Sequence, residues 1–189
     1  GKMKIAAHLC GSLATELLSG DDGILKRLTE MNFQRVQVNA TAANGVDSHN
    51  LGKYVESFLK VASQHPELEM SLQRNEETRA LWEGVMSARN LPNNVSMLFD
   101  ESKGMGIMPE SWPTAPRQYQ VGYAGGIGFG GRHLTKRTLK EILGVGNGQA
   151  VWVSMESSMR CTKNGKDVFD IAKCYDVIDA ATECNIHLH

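Results

Sequence analysis

The chain has 189 residues and a formal net charge of -1, because 20 Lys and Arg residues nearly balance 21 Asp and Glu residues. Hydrophobic residues make up 41% and charged residues 22%, which favours one folded domain over residues 1–189. The balanced charge argues against a nucleic-acid-binding protein, since such proteins usually carry a basic patch. The apolar stretches are also too short for a membrane helix, which needs about 20 residues.

Cysteine and histidine usage indicates a cytoplasmic protein without a metal or cofactor. No secretory signal is recognisable, and the four cysteines form no C-x-x-C pair, which is typical of free thiols in a reducing compartment. The histidines are scattered through the chain or, like His187 and His189, stand at its terminus, so their spacing predicts no metal site.

Six short apolar runs predict parallel strands. The runs start 24 to 34 residues apart, close to the length of about 30 residues that a βαβ unit needs. Their bounds are Lys4–Leu9, Arg35–Asn39, Glu69–Gln73, Ser96–Asp100, Gln120–Ala124 and Ala150–Ser154.

Helical periodicity fills most of the intervals between these runs. Apolar residues recur every three or four positions in residues 24–31 and 51–62, and we expect further helices to begin at Asn75 and Asp167. Residues 101–119 instead contain two glycines and three prolines, which predicts a long loop.

The two faces of the predicted strands favour a (β/α)8 TIM barrel over an open doubly wound sheet. One face is almost wholly apolar, whereas the other carries polar residues at the carboxyl ends of the strands. An open parallel sheet buries both faces, but a barrel places its ligand site at those carboxyl ends. Six strands do not close such a barrel. We therefore expect an incomplete barrel that lacks about two βα units before the first visible strand, and a homodimer through the exposed edge of that strand.

A glycine cluster follows the fifth run and predicts a phosphate site. Glycines let backbone N–H groups approach an anion, and the following helix adds the positive end of its dipole. A tight turn without a ligand is the alternative interpretation. The residues Gly126, Gly128 and Gly131 also match G-x-G-x-x-G, but no acidic residue ends a following strand at the distance that a dinucleotide site requires.

Asp100 ends the fourth run on the polar face, where a carboxylate suits general acid or base catalysis. A structural aspartate that caps the next loop is the alternative. On the same face, Gln37, Asn39 and Gln73 can position a substrate by hydrogen bonds. His8 also points inward, as a substrate contact or a core histidine.

Several short motifs resemble phosphoribosylanthranilate isomerase, a barrel enzyme of tryptophan biosynthesis. Val36-Gln-Val-Asn39 resembles its V-Q-L-H strand, and Met97-Leu-Phe-Asp100 with the glycines after it is similar to its L-L-D-S segment. Tyr123-Ala-Gly-Gly-Ile-Gly128 resembles the L-A-G-G-L phosphate motif, and Val151-Trp-Val-Ser154 with Gly165-Lys-Asp167 resembles V-D-V-S followed by G-x-K-D. In this alignment the six strands are the third to the eighth of the barrel.

The resemblance implies an Amadori-type aldose–ketose isomerisation of a sugar phosphate. It implies Asp100 as general acid and a phosphate grip formed by Gly125, Gly126, Gly128 and Ser154. The family's general base, a cysteine on the first strand, has no counterpart here, and Asn39 and Trp152 replace a His and an Asp of the motifs. A binding protein for a phosphate ligand without catalysis, or a barrel enzyme with another substrate, is therefore the alternative.

Overall fold

The structure is a computed structural model that describes residues 5–186. Six parallel strands form one sheet in the order of the sequence, and each prediction of a strand is confirmed to within two residues at each end. The strands are β1 (Ala6–Leu9), β2 (Arg35–Val38), β3 (Glu69–Arg74), β4 (Val95–Phe99), β5 (Val121–Tyr123) and β6 (Trp152–Val153). Lys4, where the first predicted run begins, and His187 and His189 lie outside the described residues.

The sheet curls into a half-barrel. The guanidinium carbon of Arg35 on β2 lies 4.0 Å from the ring centre of Trp152 on β6. In a flat sheet these two strands would be about 19 Å apart, a gap that two side chains cannot bridge so closely. The concave side therefore carries the polar face, as the alternation predicts, and the architecture is consistent with an incomplete barrel. Within the described residues, the outer edges of β1 and β6 have no strand partner.

Helices cover the convex face, whose Val36, Met70, Met97 and Tyr123 are fully buried. The helices are α1 (Gly11–Leu18), α2 (Gly23–Glu30), α3 (Val55–Gln64), α4 (Arg79–Met86), α5 (Gly131–Val145) and α6 (Ile171–Glu183). Single 3-10 turns occupy Ala42–Asn44, Leu51–Tyr54 and Ser157–Met159. The longest helix, α5, has 15 residues, and no helix among the described residues is long and apolar enough to cross a membrane.

Two predicted helix starts are wrong. Asn75 does not begin α4; its side-chain oxygen accepts a hydrogen bond from the backbone N–H of Thr78 and forms a turn, so the helix starts four residues later. Asp167 does not open the last helix either, because it lies in a β-hairpin of β7 (Arg160–Lys163) and β8 (Lys166–Phe169). Asp170 is the actual N-cap, accepting from the backbone N–H of Ala172.

The hairpin also contains Gly165-Lys-Asp167, the segment that resembles G-x-K-D. Asn164 and Gly165 both have positive φ, 52° and 72°, and connect β7 to β8 by a two-residue turn. Asn-Gly is the preferred sequence for such a turn. The segment that resembles G-x-K-D therefore lies in a turn and at the start of β8.

The prediction of a loop between β4 and β5 is confirmed, and contacts with the convex face hold this loop in place. The Tyr123 hydroxyl donates to the carbonyl of Pro113 at 2.8 Å, and burial raises the pKa of Tyr123 to about 12. Arg74 stacks on the Phe99 ring and donates to the hydroxyl of Tyr119. The far end of the loop is thus fixed, while its first residues, 101–108, lie at the carboxyl ends of the strands.

Candidate functional site

A polar cleft lies at the carboxyl ends of the strands, inside the half-barrel. The space between the surrounding atoms is about 570 Å³, a figure that includes space open to solvent. Every strand from β1 to β6 contributes to the cleft directly or through the loop that follows it, because parallel strands all end at the same edge of the sheet.

One side of the cleft, which we call the amide wall, consists of Gln37, Asn39, Asn44, Gln73 and Asp100. The side chains bind one another. Gln37 donates to Asn39 at 2.8 Å, Asn44 donates to Gln73 at 3.5 Å, and Gln73 donates to Asp100 at 2.8 Å. The Asn39 amide donates further to the sulfur of Cys10 at 3.5 Å, so the wall is a connected network that fixes its own orientation.

Asp100 organises the loop after β4. Its carboxylate is buried and accepts from the hydroxyl of Ser102 at 2.5 Å and from the backbone N–H of Gly104 at 2.9 Å, in addition to the Gln73 amide. Ser102 in turn accepts from the backbone N–H of Gly106 at 3.0 Å. Three donors thus surround the carboxylate, which is the arrangement of a loop anchor that also borders the cleft.

The opposite side, which we call the glycine wall, consists of residues 124–127 and 154–158. A side chain at Gly125 would place its Cβ 2.8 Å from the carbonyl oxygen of Ile107, and one at Gly126 would place it 2.5 Å from the backbone nitrogen of Met108. Both glycines also have positive φ, 108° and 65°. The loop after β4 therefore packs directly on this turn. A side chain at either position would collide with the loop, so both positions require glycine whether or not a ligand binds.

The glycine wall presents hydrogen-bond donors. Within residues 5–186, the backbone N–H groups of Gly125, Gly126 and Ile127 donate to no protein acceptor. The hydroxyl of Ser154 likewise has no protein partner and is not buried. Backbone N–H groups and hydroxyls at such a turn are able to receive an anion.

Charge in the cleft is negative. Asp100 and Glu156 contribute carboxylates, and no Lys or Arg is among the residues that line it. His8 is exposed at the β1 edge, where surrounding protein lowers the pKa of its imidazole and the Glu156 carboxylate partly opposes that shift. An anion bound here would depend on backbone N–H groups rather than on a cationic side chain.

The floor beneath the cleft is filled by Trp152. Its indole lies on Gly122, where an added Cβ would come within 2.2 Å of the ring, and its face stacks on Arg35. Arg35 pairs with Glu69 at 2.8 Å, and the hydroxyl of Ser96 donates to the same carboxylate at 2.6 Å. These contacts form a layer across the half-barrel, and none of their residues is among those that line the cleft.

The structure brings together most of the residues that the sequence singled out. The cleft is lined by His8, Gln37, Asn39, Gln73, Asp100, Gly125, Gly126 and Ser154. Gly128 lies instead at a neighbouring pocket by the first turn of α5, between that helix and α6.

Sequence reasoning missed several lining residues, among them Asn44, Ser102, Glu156 and Ser157. All of them lie on turns after strands, where the alternation of a strand no longer applies. The one usable signal is their position just beyond predicted strand ends.

Comparison of the chain with protein-family models, curated proteins and solved structures finds no match. The resemblance to phosphoribosylanthranilate isomerase therefore rests on the short motifs alone. Within the part of the chain that the structure describes, no three His, Cys, Asp or Glu side chains are grouped to hold a metal ion.

Proposed function

We propose that the chain binds a small sugar phosphate at the mouth of the half-barrel, as the isomerase-like motifs imply. The observation that carries the proposal is the meeting of eight residues, singled out on or just after six separate strands, around one cleft. In this proposal the phosphate lies on the glycine wall and the sugar on the amide wall.

The glycine wall supports the phosphate end of the proposal. Adjacent N–H groups of Gly125, Gly126 and Ile127 have no protein acceptor within residues 5–186, and Ser154 adds a hydroxyl beside them. Successive backbone N–H groups in a turn can form an anion-binding concavity. Because no cationic side chain lines the cleft, we expect weaker binding than at a phosphate site that contains an Arg or Lys.

A calorimetric titration with ribose 5-phosphate, beside ribose and inorganic phosphate, tests the proposal. Ribose 5-phosphate should bind at least tenfold more tightly than either part. Ser154→Asp should weaken it at least tenfold by placing a carboxylate beside the phosphate, whereas Ser154→Asn, of the same size but neutral, should weaken it much less. Equal affinities of the two variants, or no binding to the wild type, would refute the proposed phosphate position.

Asp100 is the group that the proposal places for proton transfer in an Amadori-type isomerisation. Asp100→Asn should then reduce turnover of a ribosylamine phosphate by about 10²–10⁴ while phosphate binding persists. If the wild type binds the ligand but shows no turnover, the chain is a binding protein without catalysis and Asp100 is a loop anchor only.

A neutral polyhydroxylated or amine-bearing ligand is a second candidate. It is favoured by the pairing of two carboxylates, Asp100 and Glu156, with no Lys or Arg in the cleft lining. In this case ribose should bind as tightly as ribose 5-phosphate, and Ser154→Asp should not weaken the binding of ribose.

For the architecture, we propose a (β/α)8 barrel in which two further βα units, from this or another chain, pair with the edges of β1 and β6. A homodimer through β1 is the form that the isolated chain can adopt. Sedimentation should show self-association that Ile5→Lys at this edge abolishes, because a charge there disfavours strand pairing. Met31→Lys, at an exposed apolar residue away from the edge, should have no effect. A monomeric wild type would exclude the dimer.

A further inference from the structure

The two walls of the cleft differ in hydrogen-bond polarity. The side-chain NH2 groups of Gln37, Asn39, Asn44 and Gln73 each donate to another side chain of this region. One N–H of each of these groups is therefore used within this region, and Asn44 uses its second one on the hydroxyl of Thr41. The glycine wall presents backbone N–H groups and a hydroxyl instead.

Gln37 leaves one acceptor open to the cleft. Its amide nitrogen is used by Asn39, but its side-chain oxygen accepts from no protein group within residues 5–186 and is not among the buried atoms without a partner. The residue itself is only 6% exposed, and it lines the cleft. The Gln37 oxygen is therefore in contact with the cleft and with whatever fills it.

Asp100 adds negative charge to the same wall. Its two carboxylate oxygens accept three hydrogen bonds from the protein and retain acceptor capacity toward the cleft. A ligand group that lies beside the Gln37 oxygen and the Asp100 carboxylate must supply hydrogen atoms to bind them. A hydroxyl satisfies this condition, whereas an apolar group placed against the Gln37 oxygen leaves that acceptor unpaired.

We propose that the amide wall recognises hydroxyl hydrogens, with Gln37 as the residue that determines specificity for a polyhydroxylated ligand over an apolar one. This inference rests on the proposed function, because it takes the phosphate to lie on the glycine wall. It adds how the ligand lies in the cleft, with its phosphate on the glycine wall and its hydroxyl groups on the amide wall.

Two phosphate monoesters test the inference without any variant. Ribose 5-phosphate carries hydroxyls, whereas butyl phosphate has a similar length and an apolar chain. Ribose 5-phosphate should bind about tenfold or more tightly than butyl phosphate, because only the sugar satisfies the acceptors of the amide wall. Equal affinities of the two esters would overturn the inference and leave the phosphate proposal standing.

Gln37→Met gives a second test, since it keeps the length of the side chain and removes the oxygen. It should weaken ribose 5-phosphate about tenfold and leave butyl phosphate unchanged. Ser71→Ala is the matched control, because Ser71 lies two residues before Gln73 on the same concave face and its buried hydroxyl makes no hydrogen bond. An equal effect of Gln37→Met on both esters would overturn the inference. If neither ester binds the wild type, both the proposed function and this inference fail.

Discussion

The amide wall and the glycine wall face each other across one cleft, yet they are built from different parts of the chain. The amide wall consists of side chains that project from β2, from β3 and from the ends of strands, and hydrogen bonds between them set their orientation. The glycine wall consists mainly of backbone, held by the close approach of the loop after β4. A side-chain wall changes with single substitutions, whereas a backbone wall changes only when the path of the chain changes.

Gly126→Ala should have the largest effect on stability, because it places a side chain directly in the glycine wall. The new Cβ would meet the Met108 backbone, and φ is 65°. We expect a loss of about 4 kcal/mol in the free energy of unfolding, from strain and overpacking together.

Gly131→Ala separates these two contributions, because Gly131 has a φ of 80° and no atom within 4 Å of the added Cβ. Its cost should be only about 1–2 kcal/mol. Urea titrations of both glycine variants measure the two losses. Equal losses for the two variants would mean that the contact with Met108 contributes nothing.

Asp100→Ala tests the amide wall and should have the next largest effect on stability. It leaves the donors of Gln73, Ser102 and Gly104 without their acceptor, which should cost about 3 kcal/mol. Glu101→Ala, at the exposed neighbouring carboxylate, should cost less than about 0.5 kcal/mol. Similar unfolding midpoints for these two variants would show that the carboxylate does not anchor the loop.

Trp152→Leu tests the floor that both walls share. It removes the stacking on Arg35 and part of the packing on Gly122, so we expect a loss of about 1–2 kcal/mol in thermal unfolding. Trp152→Phe retains an aromatic ring, so its loss of stability should be smaller. A Phe variant no more stable than the Leu variant would contradict a contribution from the ring face.

The smallest effect should come from the opposite end of the sheet, at Asp22. Hydrogen bonds from Lys26 and then from His65 lower the pKa of its carboxyl. A lowered pKa stabilises the folded chain above the ordinary value near 3.8, and this contribution disappears as the pH falls below it.

Urea titrations between pH 7 and pH 3 measure this contribution. The stability difference between the wild type and Asp22→Asn should be present at pH 7 and shrink below pH 4, while ligand binding in the cleft is unaffected at pH 7. Glu30→Gln, at an exposed acid of the same helix without an ion pair in the described residues, is the control. A constant difference across this pH range would exclude a role for the ionised carboxylate.

Regular spacing made the sheet predictable. The six strands were found because apolar runs recur at the length of a βα unit, and alternation within each run separates the convex face from the concave one. The same alternation predicted Gln37, Gln73 and Asp100 as neighbours on one wall. It failed for Asn44 and Ser157, which lie on turns where no period connects sequence position to direction.

Local rules failed where a competing turn was present. Asn75 has the composition of a helix start, but its side chain forms a turn with Thr78, and Val168 fits a helical period but pairs in β8. The Asn164-Gly165 pair was the available signal for the hairpin. The glycines at 125 and 126 were correctly singled out, while the protein contact that requires them depends on a loop far away in sequence.

The sequence by itself determined the order of the strands, the polarity of their two faces and the edge of the sheet where polar groups gather, because all three follow from short-range periodicity. Only the tertiary structure decided how strongly the sheet curls, that Trp152 packs on Gly122 and Arg35, and that side-chain amides line one side of the cleft while backbone lines the other. These properties arise from contacts between residues that are distant in sequence, such as Arg35 with Trp152 and Met108 with Gly126. No local pattern encodes them.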